Sequence, residues 1–172
     1  MADVLARLAR LRVPLGFVAG VVVLVLARPT WQTIAAGTVI AVVGEAIRVW
    51  AAGHLEKSRE VTRSGPYRWS RHPLYVGSAI LGVAVAVAGA NLLSAALIAA
   101  YLGATFTAAI RTEEAFLRSR FGRDYDDYCR GTAPAVDRPF AWDRVLRNRE
   151  WRALIGVAAV FLVLTAKVLR AG

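Results

Sequence analysis

The sequence has few residues of the kinds that support thiol or metal chemistry. Cys129 is the one cysteine among 172 residues, and His54 and His72 are the only histidines. A single cysteine excludes an intramolecular disulfide and a cysteine-built zinc or iron–sulfur site within one chain. No stretch has metal-ligand spacing, and there is no G-x-G-x-x-G, no phosphate loop and no G-x-S-x-G elbow. We therefore predict no metal site and none of these motif-borne chemistries.

Acidic residues are also scarce, since 12 Asp and Glu stand against 22 Lys and Arg, for a net charge of +10. A basic chain can bind nucleic acid, but here the basic residues lie between apolar runs and do not form one polar face. We predict no nucleic-acid partner. Apolar residue types make up 57 % of the chain, and the mean hydropathy is +0.47, more apolar than an ordinary soluble domain. Both values indicate a membrane protein.

Five apolar runs are long enough, with their flanks, to be membrane helices of roughly 20 residues each. They cover residues 13–27, 30–52, 74–90, 92–110 and 153–169. The sequence therefore predicts an all-α, polytopic membrane protein of about five transmembrane helices, forming one domain over residues 1–172. The motifs discussed below concentrate in a core region, residues 48–130.

The basic residues predict how these helices are oriented. If the N-terminus is cytoplasmic, only Arg28, Lys167 and Arg170 fall on the opposite side, and Arg48 lies within a helix. This bias fits the positive-inside rule. We expect an inner (cytoplasmic) membrane protein in contact with membrane lipids, with its N-terminus and its charged face in the cytoplasm.

A single residue, Asn91, separates the third and fourth runs, which predicts a tight helical hairpin. Such a hairpin would bring residues 67–75 close to residues 110–116. Small residues recur every fourth position along both runs and predict close helix packing in lipid. They are Ser78, Gly82, Ala86 and Ala90 in the third run and Ala95, Ala99, Gly103 and Thr107 in the fourth.

The hairpin would place Arg71 and His72 beside two adjacent glutamates, Glu113 and Glu114. Pro73 fits the first turn of a helix, whose free amides and dipole favour an anion. A carboxylate could therefore be held by Arg71, His72 and this helix terminus, although interfacial snorkelling and capping would also explain the pair. Adjacent helical residues point about 100° apart, so we expect one glutamate to face the site and the other to pair with an arginine or lie in solvent.

Other polar residues have two readings each. Tyr125 and Tyr128 share a helix face and could anchor the membrane interface or wall a pocket for an adenine ring or a lipid tail. Glu45 and Arg48, three residues apart within a membrane helix, could be functional or could simply neutralise each other. His54 lies just beyond them.

Residues 64–77 read S-G-P-Y-R-W-S-R-H-P-L-Y-V-G, and Glu113-Glu114, Phe121-Gly122, Tyr125 and Tyr128 follow after the hairpin. The combined pattern resembles the signature of the isoprenylcysteine carboxyl methyltransferase and phospholipid methyltransferase superfamily, over residues 48–128. Residues 57–63, K-S-R-E-V-T-R, depart from the His and Leu-Val-Thr common in that superfamily and resemble a variant branch.

The resemblance implies methyl transfer from S-adenosyl-L-methionine, bound in a cytoplasmic pocket, to a lipophilic acceptor that arrives from the bilayer. By motif matching, the residues lining the cofactor pocket would be Tyr67, Arg71, His72, Pro73, Tyr75, Gly77, Glu113 and Glu114. The acceptor most like that of the family is an isoprenylcysteine carboxylate, which Arg48 or Arg111 could orient. In-line methyl transfer to a carboxylate or thiolate needs positioning more than acid–base help.

Three alternatives stay open at this point. A lipid amine or a small thiol could replace the carboxylate, and an amine would need a base, for which Glu45 and His54 are the candidates. The chain could instead be a non-catalytic membrane scaffold or a small transporter. Clustering of polar residues at one interface argues against transport, whose sites lie near the bilayer middle.

Overall fold

The computed structural model describes residues 16–171, and within that range the chain is helical and contains no strand. The helices are α1 (Gly16–Leu26), α2 (Trp31–His54), α3 (Pro73–Gly89), α4 (Leu92–Phe121), α5 (Arg123–Arg130), α6 (Trp142–Arg147) and α7 (Trp151–Ala171), with a 3-10 helix at Gly65–Arg68. The predicted all-α, polytopic membrane architecture is confirmed.

Three of these helices, α2, α4 and α7, are long and apolar enough to cross a membrane, with 24, 30 and 21 residues. Two shorter apolar helices, α1 and α3, coincide with the first and third predicted spans. The start of the first span, residues 13–15, lies outside the described residues. Large apolar side chains such as Val39, Val42 and Leu162 are exposed on the helix surfaces, as lipid-facing residues would be.

The hairpin between α3 and α4 is as tight as the sequence predicts. Ala90 adopts the left-handed conformation that ends α3, and Asn91 caps α4, because its side chain accepts a 2.9 Å hydrogen bond from the backbone N–H of Ser94. Pro73 is the first residue of α3, where its missing N–H leaves no helical bond unmade. The beginning of α3 and the end of α4 consequently lie at the same end of the molecule.

The closest helix pair is α2 with α3, which approach each other at glycine positions. A Cβ on Gly37 would lie 2.7 Å from the carbonyl oxygen of Ala84, and a Cβ on Gly44 would lie 3.0 Å from that of Gly77. By contrast, a Cβ on Gly103 of α4 would meet nothing within 4 Å. The predicted stripe of α3 also packs closely at one position, since a Cβ on Gly82 would clash with the Leu102 side chain of α4.

At the end of the molecule that contains the α3–α4 turn, hydrogen bonds to backbone carbonyls connect the helices. The N–H of Arg28 donates to the Gly89 carbonyl at 2.7 Å, and the Lys167 ammonium donates to the Leu24 and Ala27 carbonyls, each at 2.7 Å. These bonds satisfy carbonyls at the ends of α1 and α3. The opposite end carries α5, α6 and most of the charged residues, and the candidate site lies there.

Candidate functional site

A cavity of about 710 Å³ opens at the charged end, between α2, α3, α4 and α5. Its volume falls in the range of roughly 300–1,000 Å³ that small-molecule sites occupy. The polar part of the wall comes from the segment 55–62, from the turn before α3 and from Glu113. The apolar part comes from α4, at Tyr101, Ala104 and Ala108.

The hairpin brings the turn before α3 into contact with the end of α4. The Nε2 of His72 lies 3.1 Å from Oε1 of Glu114, and Nη1 of Arg71 lies 3.5 Å from the same oxygen. His72 precedes α3, where its ring makes no capping bond with its own helix and is free to reach α4. One carboxylate thus holds two cationic or imidazole groups at the cavity edge.

The two adjacent glutamates have different surroundings, as their separation around the helix axis predicts. Glu113 lines the cavity, whereas Glu114 pairs with Arg71 and His72 and does not line it. The arginine that pairs with the second glutamate therefore belongs to the site itself.

Three tyrosines form an aromatic wall. Tyr67, Tyr125 and Tyr128 all line the cavity, and Tyr125 is 1 % exposed. The Tyr128 hydroxyl donates to the Tyr67 carbonyl at 2.7 Å, which fixes α5 against the turn before α3. Burial raises the pKa of Tyr128 to about 12, and it also raises the pKa of Tyr67 and of Tyr125. These phenols are therefore neutral at physiological pH, and the pocket reading of Tyr125 and Tyr128 is the one the structure supports.

The remaining predicted cofactor residues divide into wall and packing positions. Pro73 and Tyr75 line the cavity, and the Tyr75 ring packs edge-on against Phe106 at a centroid distance of 5.2 Å. Gly77 does not line it. A Cβ on Gly77 would lie 2.5 Å from Cγ of Arg48 and 2.8 Å from the Gly44 carbonyl, so this position lets the Arg48 side chain pass between α2 and α3.

The partner of Arg48 differs from the neighbour suggested by the sequence. Its Nη1 donates to the Leu74 carbonyl at 3.3 Å and to the Ser78 hydroxyl, and its Nη2 forms an ion pair with Glu150 at 2.5 Å. Both Glu45 oxygens are buried and, among residues 16–171, accept no hydrogen bond. The pairing of Glu45 with Arg48, one of the two readings of the sequence, is not seen as a hydrogen bond or ion pair. The Arg48 side chain extends instead toward α3 and the start of α7.

Arg111 and Glu45 are not among the residues that line the cavity, and the Arg111 side chain is exposed on α4. His54 is buried, with its Nδ1 3.1 Å from the Ser64 hydroxyl oxygen, and it too lies outside the cavity wall. Of the three residues considered for catalysis, Arg48 alone reaches the cavity.

Sequence reasoning missed Glu150 and the contact of Cys129 with the site. Nη1 of Arg71 lies 3.5 Å from the Cys129 sulfur, and this contact raises the pKa of Arg71, which keeps it cationic. Cys129 is one residue past Tyr128, so a helix drawn from Tyr125 could have placed it there. Nothing in the local sequence points to Glu150, since it lies far along the chain from its partner.

Three arginines within residues 136–147, which we call the arginine strap, bond to residues 53–60, a segment that includes part of the cavity wall. Arg138 pairs with Glu60 at 2.6 Å, Arg144 donates to the Gly53 carbonyl at 2.6 Å, and Arg147 pairs with Glu56 at 3.3 Å. Glu56 and Glu60 line the cavity, so these bonds hold the wall segment in place.

Comparison with known proteins gives one family match, to the family described as phospholipid methyltransferase, over residues 17–124. The matched range contains α2, α3 and α4 and ends at the start of α5. The later helices, α6 and α7, lie outside it.

Several curated proteins are similar over about half of the chain. A probable protein-S-isoprenylcysteine O-methyltransferase of Oryza sativa subsp. japonica is 36 % identical over 110 residues, which cover 57 % of this chain and 58 % of the relative. The protein-S-isoprenylcysteine O-methyltransferase of Schizosaccharomyces pombe is 33 % identical over 85 residues, covering 49 % and 36 %. The nickel-cobalt-cadmium resistance protein NccN of Alcaligenes xylosoxydans xylosoxydans is 35 % identical over 98 residues, covering 56 % and 44 %. The chain thus spans less than three fifths of the length of each relative, and no solved structure matches it.

Proposed function

Since the chain belongs to the phospholipid methyltransferase family, we propose that it is a membrane enzyme that transfers a methyl group from S-adenosylmethionine to a lipophilic acceptor. The acceptor class we favour is the carboxylate of an isoprenylated cysteine. Support comes from the two relatives named as protein-S-isoprenylcysteine O-methyltransferases.

The observation that carries the proposal is the two-part wall of the cavity. Its polar end has Arg71, His72 and Glu113, and its apolar end is formed by residues of α4 such as Ala104 and Ala108. Those α4 residues lie in a helix apolar enough to span the membrane. A polar cofactor and an acceptor with a hydrocarbon chain could therefore meet in one cavity.

The polar groups present fit S-adenosylmethionine. Its carboxylate suits Arg71 and His72, its ammonium suits Glu113, and its purine ring suits the wall of Tyr67, Tyr125 and Tyr128. When bound, the cofactor supplies an activated methyl group. The chain's own part is to orient the reactants, and the neutral tyrosines and the apolar residues of α4 form the surfaces that would do so.

A carboxylate acceptor needs no base, so the reaction makes few demands on side chains. Arg48 lines the cavity and is the basic residue we assign to the acceptor carboxylate, through charge and hydrogen bonding. We further propose that the cavity end faces the cytoplasm, because most basic residues outside the helices lie at that end.

A comparison of acceptors tests the proposal. Purified protein in detergent receives S-adenosylmethionine labelled in its methyl group, together with an S-farnesylated cysteine, a phosphatidylethanolamine or a small thiol. We expect label in the farnesylcysteine as a base-labile methyl ester. Label in the amine or the thiol alone would replace the acceptor class, and no transfer to any of the three, with no thermal shift by S-adenosylhomocysteine, would contradict the enzyme.

A further inference from the structure

Glu150 lies outside the part of the chain that matches the family, yet it contacts a residue of the cavity wall. The matched range ends at residue 124, and Glu150 is in the turn between α6 and α7. Its side chain is 6 % exposed and its carboxylate lies 2.5 Å from Nη2 of Arg48. The turn before α7 thus contributes an acidic side chain that contacts the wall of the candidate site.

Arg48 is held by two separate parts of the structure. On one side, α3 supplies the Leu74 carbonyl and the Ser78 hydroxyl to Nη1, and on the other side Glu150 meets Nη2. Leu74, Ser78 and Arg48 line the cavity, whereas Glu150 does not. The Nε of Arg48 is buried and has no partner among the described residues, so the guanidinium is held through Nη1 and Nη2.

Glu45, the acidic residue nearest to Arg48 in sequence, does not form a hydrogen bond or ion pair with it. Glu45 is one helical turn from Arg48, but none of its oxygens accepts a hydrogen bond within residues 16–171. An arginine in a membrane helix is costly without a counter-ion, and a long side chain has many rotamers to lose. Glu150 is therefore the acidic side chain in direct contact with Arg48, and this contact restricts the orientation of the guanidinium.

We infer that Glu150 is a positioning residue, which fixes the Arg48 guanidinium so that Arg48 receives the polar oxygen of the methyl acceptor. This inference rests on the proposed function. It assigns to the α6–α7 turn a role in acceptor binding and none in cofactor binding, because Arg71, His72 and Glu113 stand apart from the Arg48 contacts. A fixed guanidinium binds an oxygen with less loss of freedom than a mobile one.

The test separates acceptor binding from cofactor binding. Glu150→Gln, Arg48→Gln and the double variant are assayed with S-farnesylcysteine as acceptor, and S-adenosylhomocysteine affinity is measured by calorimetry on the same preparations. We expect Glu150→Gln to raise the acceptor KM about tenfold, as loss of a charged contact of about 1.4 kcal/mol would, with cofactor affinity within about twofold of wild type. In the Arg48→Gln background the same change should have almost no further effect, since the two residues act as one unit.

A second variant tests the inference if Glu150→Gln does not fold, and an exposed ion-pair variant serves as the control. Ser78→Ala removes the second contact on the same guanidinium and should raise the acceptor KM in the same way. As the control, Arg130→Gln breaks an exposed ion pair with Asp127, 2.6 Å away, at a position that does not line the cavity, and should leave both constants unchanged.

The results that would contradict the positioning role of Glu150 differ from those that would contradict the proposed methyltransferase function. An unchanged acceptor KM in Glu150→Gln and Ser78→Ala, or an equal effect of Glu150→Gln with and without Arg48, would remove the positioning role while wild-type methylation stands. A loss of cofactor affinity equal to the loss of acceptor affinity would assign Glu150 to general structure. Absence of farnesylcysteine methylation by the wild type would remove the proposed function, and the inference with it.

Discussion

His72 and Glu114 are 42 residues apart in the sequence, yet their side chains meet with Nε2 3.1 Å from Oε1. The contact exists because α3 and α4 reverse direction at Asn91 and return to the same end of the molecule. It ties the turn before α3 to the end of α4, and it sets one edge of the cavity.

Breaking this contact should weaken cofactor binding. Glu114→Gln leaves Arg71 and His72 without their shared carboxylate, so we expect S-adenosylhomocysteine affinity to fall about tenfold, in line with a charged hydrogen bond. His72→Asn should give a loss at least as large, because His72 is also assigned to the cofactor carboxylate, and the two losses should add less than fully, because both variants lack the His72–Glu114 contact. Calorimetry on the single and double variants measures this. Strictly additive losses would show that the two residues act separately.

Arg71 should be the strongest single determinant of cofactor affinity. It lines the cavity, and the proposed function assigns it to the cofactor carboxylate. Arg71→Ala should therefore lower S-adenosylhomocysteine affinity by about tenfold or more, as loss of a hydrogen bond between charged groups would. The matched control is Arg130→Ala, which removes an exposed arginine paired with Asp127. Equal affinity in the Arg71 variant and the control would refute the assignment.

The apolar end of the cavity should govern acceptor binding alone. Ala108 of α4 lines the cavity, whereas Thr107, next to it, is exposed and does not. Ala108→Trp should raise the KM for farnesylcysteine by about tenfold or more, because the indole fills space that a hydrocarbon chain would use. Thr107→Trp should change little. A similar effect of both substitutions would place the acceptor elsewhere on α4.

The α2–α3 contact should be sensitive to a single methyl group. A Cβ on Gly77 would come within 2.8 Å of the Gly44 carbonyl, so Gly77→Ala forces the two helices apart. We expect a loss of about 1–3 kcal/mol in unfolding free energy, typical of overpacking. Gly20→Ala is the control, since a Cβ there meets nothing within 4 Å. Thermal unfolding in detergent compares the two, and equal melting temperatures would contradict the close approach.

The buried tyrosine of α5 should make stability fall in alkali. The pKa of Tyr128 is raised to about 12 from the ordinary value of 10.0. The folded state therefore binds this proton more tightly than the unfolded state, so the contribution is complete below pH 10 and is lost as pH rises toward 12. Tyr128→Phe should lose less stability than wild type across that interval. Parallel pH curves for the two proteins would show that Tyr128 is not buried as described.

The sequence predicted the helices and the hairpin because each depends on local signals. Run length gives the apolar helices, Pro73 marks the start of α3, and the single residue Asn91 leaves no room for a longer loop. These signals also predicted that Arg71 and His72 meet the glutamates of α4. The sequence did not indicate that α3 packs most closely on α2, since small residues occur on more than one face of α3.

The partner of Arg48 could not be predicted from sequence for a different reason. Glu45 is a helical neighbour, so spacing favoured it, but the nearest carboxylate in space comes from the turn before α7. That choice depends on how α7 packs against α2, which no local pattern encodes. The same holds for the arginine strap of Arg138, Arg144 and Arg147, whose partners lie in a segment far away in sequence.

An experimental structure with S-adenosylhomocysteine bound is the most direct test of the central claim that this cavity is a methyl-donor site. We expect the ligand in the cavity, with its carboxylate at hydrogen-bond distance from Arg71 or His72 and its purine ring against the wall of Tyr67, Tyr125 and Tyr128. A ligand bound elsewhere on the protein, with this cavity filled by its own side chains, would contradict it.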